Sequence, residues 1–407
     1  MKIDWSFVKG SAVVGVGNMV ARVLGLLFFV ILTWIYTPTE YGYIRYVIAI
    51  ATLSCAAAST GFPSAITRYL GRYGKDEELR DAYFSNSLIA IFVIFLATTL
   101  VLFTIGKLNF GTFLVMIGLT IAPTYLGAIR GFILSRRIAG FQISTGILKI
   151  VIVALLFYVV GVYPLLYALA AFGFACLIPI CIIEIIRPLP LHFRKKLISK
   201  NVLKELTRFA LPVIISSIIY SMMMSIDIIC IQHFLGFEQV GFYSVARTLV
   251  VVFTFAPAGI NMILMPKVAG LREKEKIVSY LKFSLIVIAI ASVALLMVIY
   301  ALGEQLIEVI FTSAYLEALP ALFVLSIGMS LFAVYTIIDA VWTGIGRPFI
   351  PTKVLLVAVP VNVVGNIFFI PRLGIFGGGL AFSISYLIAL ILISIITFRN
   401  LHKRVIL

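Results

Sequence analysis

Acidic residues are scarce in this 407-residue chain: 16 Asp and Glu stand against 32 Lys and Arg, and charged residues of both signs make up only 12% of the total. Soluble domains carry about 25% charged residues, so this composition excludes a water-soluble globular fold. Histidine and cysteine are thin as well, with 3 and 4 copies. His192, His233 and His402 have no metal-like spacing and no nucleophile partner, while Cys55, Cys176, Cys181 and Cys230 all fall inside apolar segments, where packing is their expected role. No metal, cofactor or catalytic residue is therefore expected. A glycine-rich phosphate loop ending in lysine is also missing, which argues against direct ATP hydrolysis.

What fills the chain instead is apolar. Hydrophobic residues make up 62%, and runs of about 20 of them, enough to cross a bilayer as helix, recur between short polar or Gly/Pro breaks. The pattern predicts an all-α polytopic membrane protein of about twelve transmembrane helices. The expected spans are 10–36, 41–64, 83–105, 111–134, 141–161, 164–186, 209–235, 240–265, 279–302, 319–345, 350–370 and 374–398. The first is too long for a signal peptide and has no small-residue cleavage pattern, so it is expected to stay as an anchor.

The basic residues are unevenly placed along this pattern. Only Lys107 and Arg372 fall in the odd-numbered connections, and four more, Arg22, Arg45, Lys149 and Arg247, lie well inside spans; every other Lys and Arg sits at the N-terminus, in the tail, or in or within a few residues of an even-numbered connection. Positive charge stays on the cytoplasmic side, so both termini are expected there, with the chain in the cell membrane. Most of the net charge of +16 is thus topology. Basic clusters such as Arg194-Lys195-Lys196 can also touch anionic headgroups, and nucleic acid is not an expected partner because no folded module accompanies them.

A duplication organises the spans. Tyr41-Gly42-Tyr43 matches Val240-Gly241-Phe242, with Lys9 on Arg208 and Arg68 on Lys267 in the same register; farther on, Tyr125 falls on Tyr335 and Ala171-Phe172 on Ala381-Phe382. Six helices per repeat is an even number, so the repeats are related by an axis along the membrane normal, an arrangement used by transporters. The expected domains are an N-terminal lobe over 1–186, a basic linker over 187–208 and a C-terminal lobe over 209–407 that includes a short basic tail. The linker reads equally as a short amphipathic helix or as plain solvated chain. Pro123, Pro257 and Pro360 mark places where helices can bend.

The stretch Thr37-Pro38-Thr39-Glu40-Tyr41-Gly42, followed by an apolar helix and Gly61-Phe62-Pro63-Ser64-Ala65-Ile66-Thr67-Arg68-Tyr69-Leu70, resembles the N-terminal signature of the polysaccharide-synthase branch of the multidrug/oligosaccharidyl-lipid/polysaccharide (MOP) exporter superfamily. The resemblance extends over essentially the whole chain. It implies a MATE-like fold of two six-helix lobes and a flippase that carries a polyprenyl-diphosphate oligosaccharide from the cytoplasmic to the outer leaflet by alternating access, for surface polysaccharide assembly. Lipid-linked oligosaccharide, membrane lipids and glycan polymerase or glycosyltransferase machinery are the implied partners.

Such a cargo needs cations inside the membrane, and charges there are costly enough to mark function. Arg22 lies about 20 Å of helical rise beyond Lys9, near mid-membrane, and is the first candidate for holding the diphosphate. Arg45 and Arg247 occupy second-helix positions of the two repeats about one turn apart. Resemblance to the peptidoglycan-precursor flippases of the superfamily implies headgroup-binding arginines on the first, second and eighth helices. Lys149 lies about 13 Å into the fifth helix. For Arg45 and Lys149, snorkelling to an interface competes with cavity lining. Asp227 sits at the depth of Arg247 on the neighbouring helix; a structural salt bridge and an ion-coupled switch are both open, and Asp339 is a further ion-coupling candidate. The rival functions are a multidrug or small-cation antiporter of the same fold and, less favoured, a membrane glycan polymerase or ligase.

Overall fold

The computed structural model describes residues 5–160, 164–271 and 273–402. Lys2, Arg272 and the tail residues Lys403 and Arg404 lie outside them. The described residues form helices and connections with no strand. Among the described residues, eleven helical stretches are long and apolar enough to cross a membrane. The last, Phe349–His402, runs 54 residues but breaks at Gly374, whose φ of 62° and ψ of −146° suit a residue without a Cβ. Counted on either side of that break, the stretch supplies the eleventh and twelfth expected helices. The architecture is all-α and polytopic.

The chain divides into two compact units, one of residues 1–35 and 47–221, the other of 36–46 and 222–407. In the first unit, α1 (Trp5–Ile35) packs along α5 (Ser135–Val160). A Cβ on Gly17 would lie 2.6 Å from that of Ala139, so the two backbones approach as closely as small residues permit. The expected sixth span divides into α6 (Leu165–Phe174) and α7 (Leu177–Ile186). Helices α2 (Pro38–Tyr73), α3 (Glu77–Thr104) and α4 (Phe110–Gly131) complete this half, α2 contributing its first turns to the second unit.

The basic linker is not one helix. Residues 187–199 run irregularly apart from a 3₁₀ turn at Lys195–Leu197, and helix resumes at Lys200 as α8 (Lys200–Leu235). The reason lies on α3, where the buried Asp81, Ser85 and Asn86 offer side chains to the linker backbone. Asp81 accepts from the His192 N–H (3.3 Å), Ser85 from the Arg194 N–H (2.9 Å) and Asn86 from the Ser199 N–H (3.1 Å), while Asn86 donates to the Leu197 carbonyl (3.0 Å). These contacts satisfy backbone groups that helix formation would otherwise have to satisfy.

In the second unit, the expected eighth span is two helices, α9 (Phe237–Val250) and α10 (Phe255–Ala269), joined by a 3₁₀ stretch at Val251–Thr254. Pro257 explains the irregularity, since it has no N–H to return to the carbonyl one turn earlier. Helices α11 (Lys274–Phe311), α12 (Leu319–Gly344) and α13 (Phe349–His402) follow. The repeated glycines meet one another here. A Cβ on Gly42 would fall 1.8 Å from the Phe237 carbonyl oxygen, and one on Gly241 would fall 2.1 Å from that of Pro38. Gly42 and Gly241 are repeat partners, as are Pro38 and Phe237, so the first turns of α2 and α9 cross through a reciprocal contact of the kind a two-fold relation produces.

Candidate functional site

Asp227 is the most deeply buried carboxylate of the second unit, with no exposed surface. It lies on α8, two turns before the Gly236 turn that reverses the chain into α9. Tyr243 and Arg247, one helical turn apart on α9, therefore point back at the same depth. The Tyr243 hydroxyl and Arg247 Nη1 both donate to Asp227 Oδ2, and Oδ1 accepts from the Ile228 N–H at 3.1 Å. Arg247 and Asp227 thus form a buried ion pair, the arginine side chain retaining 12% of its surface. Its second terminal nitrogen reaches the Met224 sulfur at 3.2 Å, and its guanidinium carbon lies 5.3 Å from the ring centre of Phe382 on α13. Carboxylate, thioether and aromatic face together replace the water an exposed arginine would hold.

Arg45 belongs to this cluster because the first turns of α2 pack with the second unit. It is half-buried, lies within Coulombic reach of Asp227 and Arg247, and places its guanidinium carbon 6.0 Å from the ring of Tyr41, one turn before it. Tyr41 is buried, with its hydroxyl 3.5 Å from Thr248 Oγ1 and its ring edge-on to Tyr315 at 6.0 Å. Asp227 thus pairs with Arg247 and has a second arginine, from another helix, within Coulombic reach. Two positive charges around one carboxylate favour a further negative group.

Lys149 belongs to the first unit and is held differently. Its Nζ stands 3.9 Å from the ring centre of Phe172 on α6, and that ring packs against Phe28 and Phe29 of α1 at 6.1 and 6.3 Å. An aromatic face, not a carboxylate, meets the ammonium there. Arg22, also in the first unit, stands on an exposed face midway along α1. Asp339 is half-buried on α12 and accepts from the Thr343 hydroxyl one turn on, at 3.2 Å.

Sequence reasoning overlooked Tyr243, Asn362 and Asn366. The two asparagines lie one turn apart on α13, both fully buried; Asn366 Nδ2 donates to the Asn362 carbonyl and to its side-chain oxygen, leaving Asn362 Nδ2 and Asn366 Oδ1 without partners. Their signal was legible: two amides at helical spacing in an apolar run. Among the described residues, the group best able to reach one metal ion is Glu77, Asp81 and His192. Arg194 already pairs with Glu77 and Asp81 there.

Residues 7–254 match the family described as "Polysaccharide biosynthesis protein", and residues 212–368 match the family described as "MatE". An uncharacterized membrane protein of Methanocaldococcus jannaschii is 22% identical over 98% of this chain and 100% of its own length. A second from that organism is 29% identical over 202 residues, and the chain spans only 39% of that relative. Among solved structures, an inward-facing multidrug resistance MATE family transporter of the MOP superfamily superposes with a TM-score of 0.74 at 16% identity, covering 94% of both chains. The lipid II flippase MurJ in an inward closed conformation superposes with a TM-score of 0.70 at 17% identity, over 95% of this chain and 87% of MurJ. At these identities the structural likeness establishes the fold, that of MOP-superfamily transporters and flippases.

Proposed function

This chain belongs to the polysaccharide biosynthesis protein family, and we propose that it is a flippase carrying a polyprenyl-diphosphate oligosaccharide from the cytoplasmic to the outer leaflet by alternating access. The observation that carries the reading is the buried Arg247–Asp227 ion pair with Arg45 within Coulombic reach of it. A diphosphate offers the same oxygen acceptors as the carboxylate with more charge, so it can take over Arg247 without leaving the guanidinium bare. Lys149 and Arg22 add cations in the first unit, with Arg22 at the middle of its helix. In this reading Asp227 is the switch: as a carboxylate it holds Arg247, and once neutralised by a proton or a bound cation it releases it. Asp339 is a secondary ion-coupling candidate.

The Lys/Arg distribution supports cytoplasmic termini and a cell-membrane location, and glycan-assembly enzymes are the partners such a cargo would require. The protein itself is read as a non-enzyme. The test is leaflet assignment of a labelled polyprenyl-diphosphate oligosaccharide in proteoliposomes, comparing the parent with Arg22→Ala and Arg247→Gln. Loss of translocation in both, with the proteins intact, is expected; unchanged translocation in Arg22→Ala rejects its central role. The MatE match over the second half favours a second reading, a multidrug or small-cation antiporter. Efflux of a cationic dye without lipid movement would establish that one instead.

A further inference from the structure

Helix α5 opens on Ser135-Arg136-Arg137 with no acidic residue in its first turn. Two cations at a helix N-terminus add to the positive end of the helix dipole, an unfavourable placement unless an anion answers it. Among the described residues neither arginine forms an ion pair with a carboxylate, and Arg137 Nη1 is buried without a hydrogen-bond partner. Glu184, on the neighbouring α7, is occupied otherwise: it accepts from the Tyr125 hydroxyl (2.8 Å) and the Leu189 N–H (2.8 Å).

Both arginines line a crevice of about 360 Å³ that continues between α5 and α7 past Gly140 and Ser144 to Leu148, Pro179, Ile182 and Ile183. One end is cationic and the other is aliphatic. The middle is open at Gly140, where a Cβ would meet nothing within 4 Å. The Ser144 hydroxyl donates to the Gly140 carbonyl at 2.7 Å, so the crevice wall presents little unsatisfied polarity below the arginines. Ile182 is half exposed along the outside of the helix pair. A soluble anion would use only the arginines and leave the aliphatic length wet; a hydrocarbon alone would leave the buried Arg137 Nη1 unanswered.

We propose that this crevice binds a glycerophospholipid with a net-negative headgroup, its phosphate on Arg136 and Arg137 and an acyl chain along Leu148, Pro179, Ile182 and Ile183. The site is separate from the Arg45–Asp227–Arg247 cluster, so the proposal stands whatever the cargo is. Planar guanidinium forks hold phosphate oxygens bidentately, and basic groups at the membrane surface recognise anionic lipid in this way.

The experiment is titration of the delipidated full-length protein in detergent with phosphatidylglycerol or phosphatidylcholine of identical chains, read by native mass spectrometry and by thermal stabilisation, with inorganic phosphate as a third ligand. Two arginines facing the phosphoryl headgroup should make phosphatidylglycerol bind roughly tenfold or more tightly than phosphatidylcholine. Arg136→Gln with Arg137→Gln should remove that preference, and Gly140→Leu, which keeps both charges, should weaken both lipids by blocking the chain. Equal binding of the two lipids to the parent overturns the proposal, as does an undiminished preference in the double variant. Stabilisation by inorganic phosphate equal to that by phosphatidylglycerol overturns it in favour of a soluble anion. Should the double variant fail to fold, unchanged phosphatidylglycerol affinity in Gly140→Leu overturns it on its own.

Discussion

Lys149 and Arg247 face the same problem, a positive charge within the apolar part of a helical unit, and the two units answer it differently. Arg247 is held by a buried carboxylate, with a tyrosine hydroxyl on the same oxygen and an aromatic face nearby. Lys149 rests on the ring of Phe172. The first arrangement is strong and conditional, because it depends on the charge of Asp227. The second is weak and constant. Under the proposed function, a cargo phosphate arriving at Lys149 would displace only a cation–π contact, whereas one arriving at Arg247 would compete with an ion pair.

The comparison breaks first at Asp227. Asp227→Asn leaves Arg247 buried without its countercharge and should cost about 3–5 kcal/mol, measured by chemical unfolding in detergent. Adding Arg247→Gln should restore part of the loss, since the double variant has no orphan charge. A single variant as stable as the parent would show that the pair contributes nothing. Tyr243→Phe comes next: it removes one hydrogen bond to a charged group, for about 1.5–3 kcal/mol in the same assay. Lys149→Met should cost no more than about 2 kcal/mol, because only the ring contact is lost, yet should slow lipid translocation in proteoliposomes. A Lys149 variant less stable than Asp227→Asn would reverse the contrast. Smallest is Asp339→Asn, which keeps an acceptor for Thr343 and should change unfolding by about 1 kcal/mol or less.

Much of this was legible beforehand for simple reasons. Twelve apolar runs of membrane length, punctuated by Gly and Pro, translate almost directly into helices because a bilayer admits few alternatives. The nearness of Asp227 and Arg247 followed from their similar distances to the Gly236 turn. Arg45 was harder. Its repeat position hinted at Arg247, but only the packing of residues 36–46 with the second unit brings it beside Asp227, and no local pattern encodes that exchange. A non-helical linker was one of the two readings, but its docking was hidden, since its partners Asp81, Ser85 and Asn86 lie far earlier in the chain, on α3. Tyr243 looked like one aromatic among 18 tyrosines, although its spacing of one turn from Arg247 was available.

The assignment of residues 36–46 to the second unit has a consequence for biosynthesis. Arg45 emerges from the ribosome roughly 180 residues before Asp227, which at about 5–20 residues per second is a delay of about 10–40 s. During that interval the translocon must accommodate an arginine whose eventual countercharge has not been made. Arg45 sits about two turns from the N-terminal end of α2, so its guanidinium can snorkel toward that end until α8 and α9 arrive. The opening of the second helix is therefore made early and docked late, and a nascent chain stalled before residue 222 would display it unpacked.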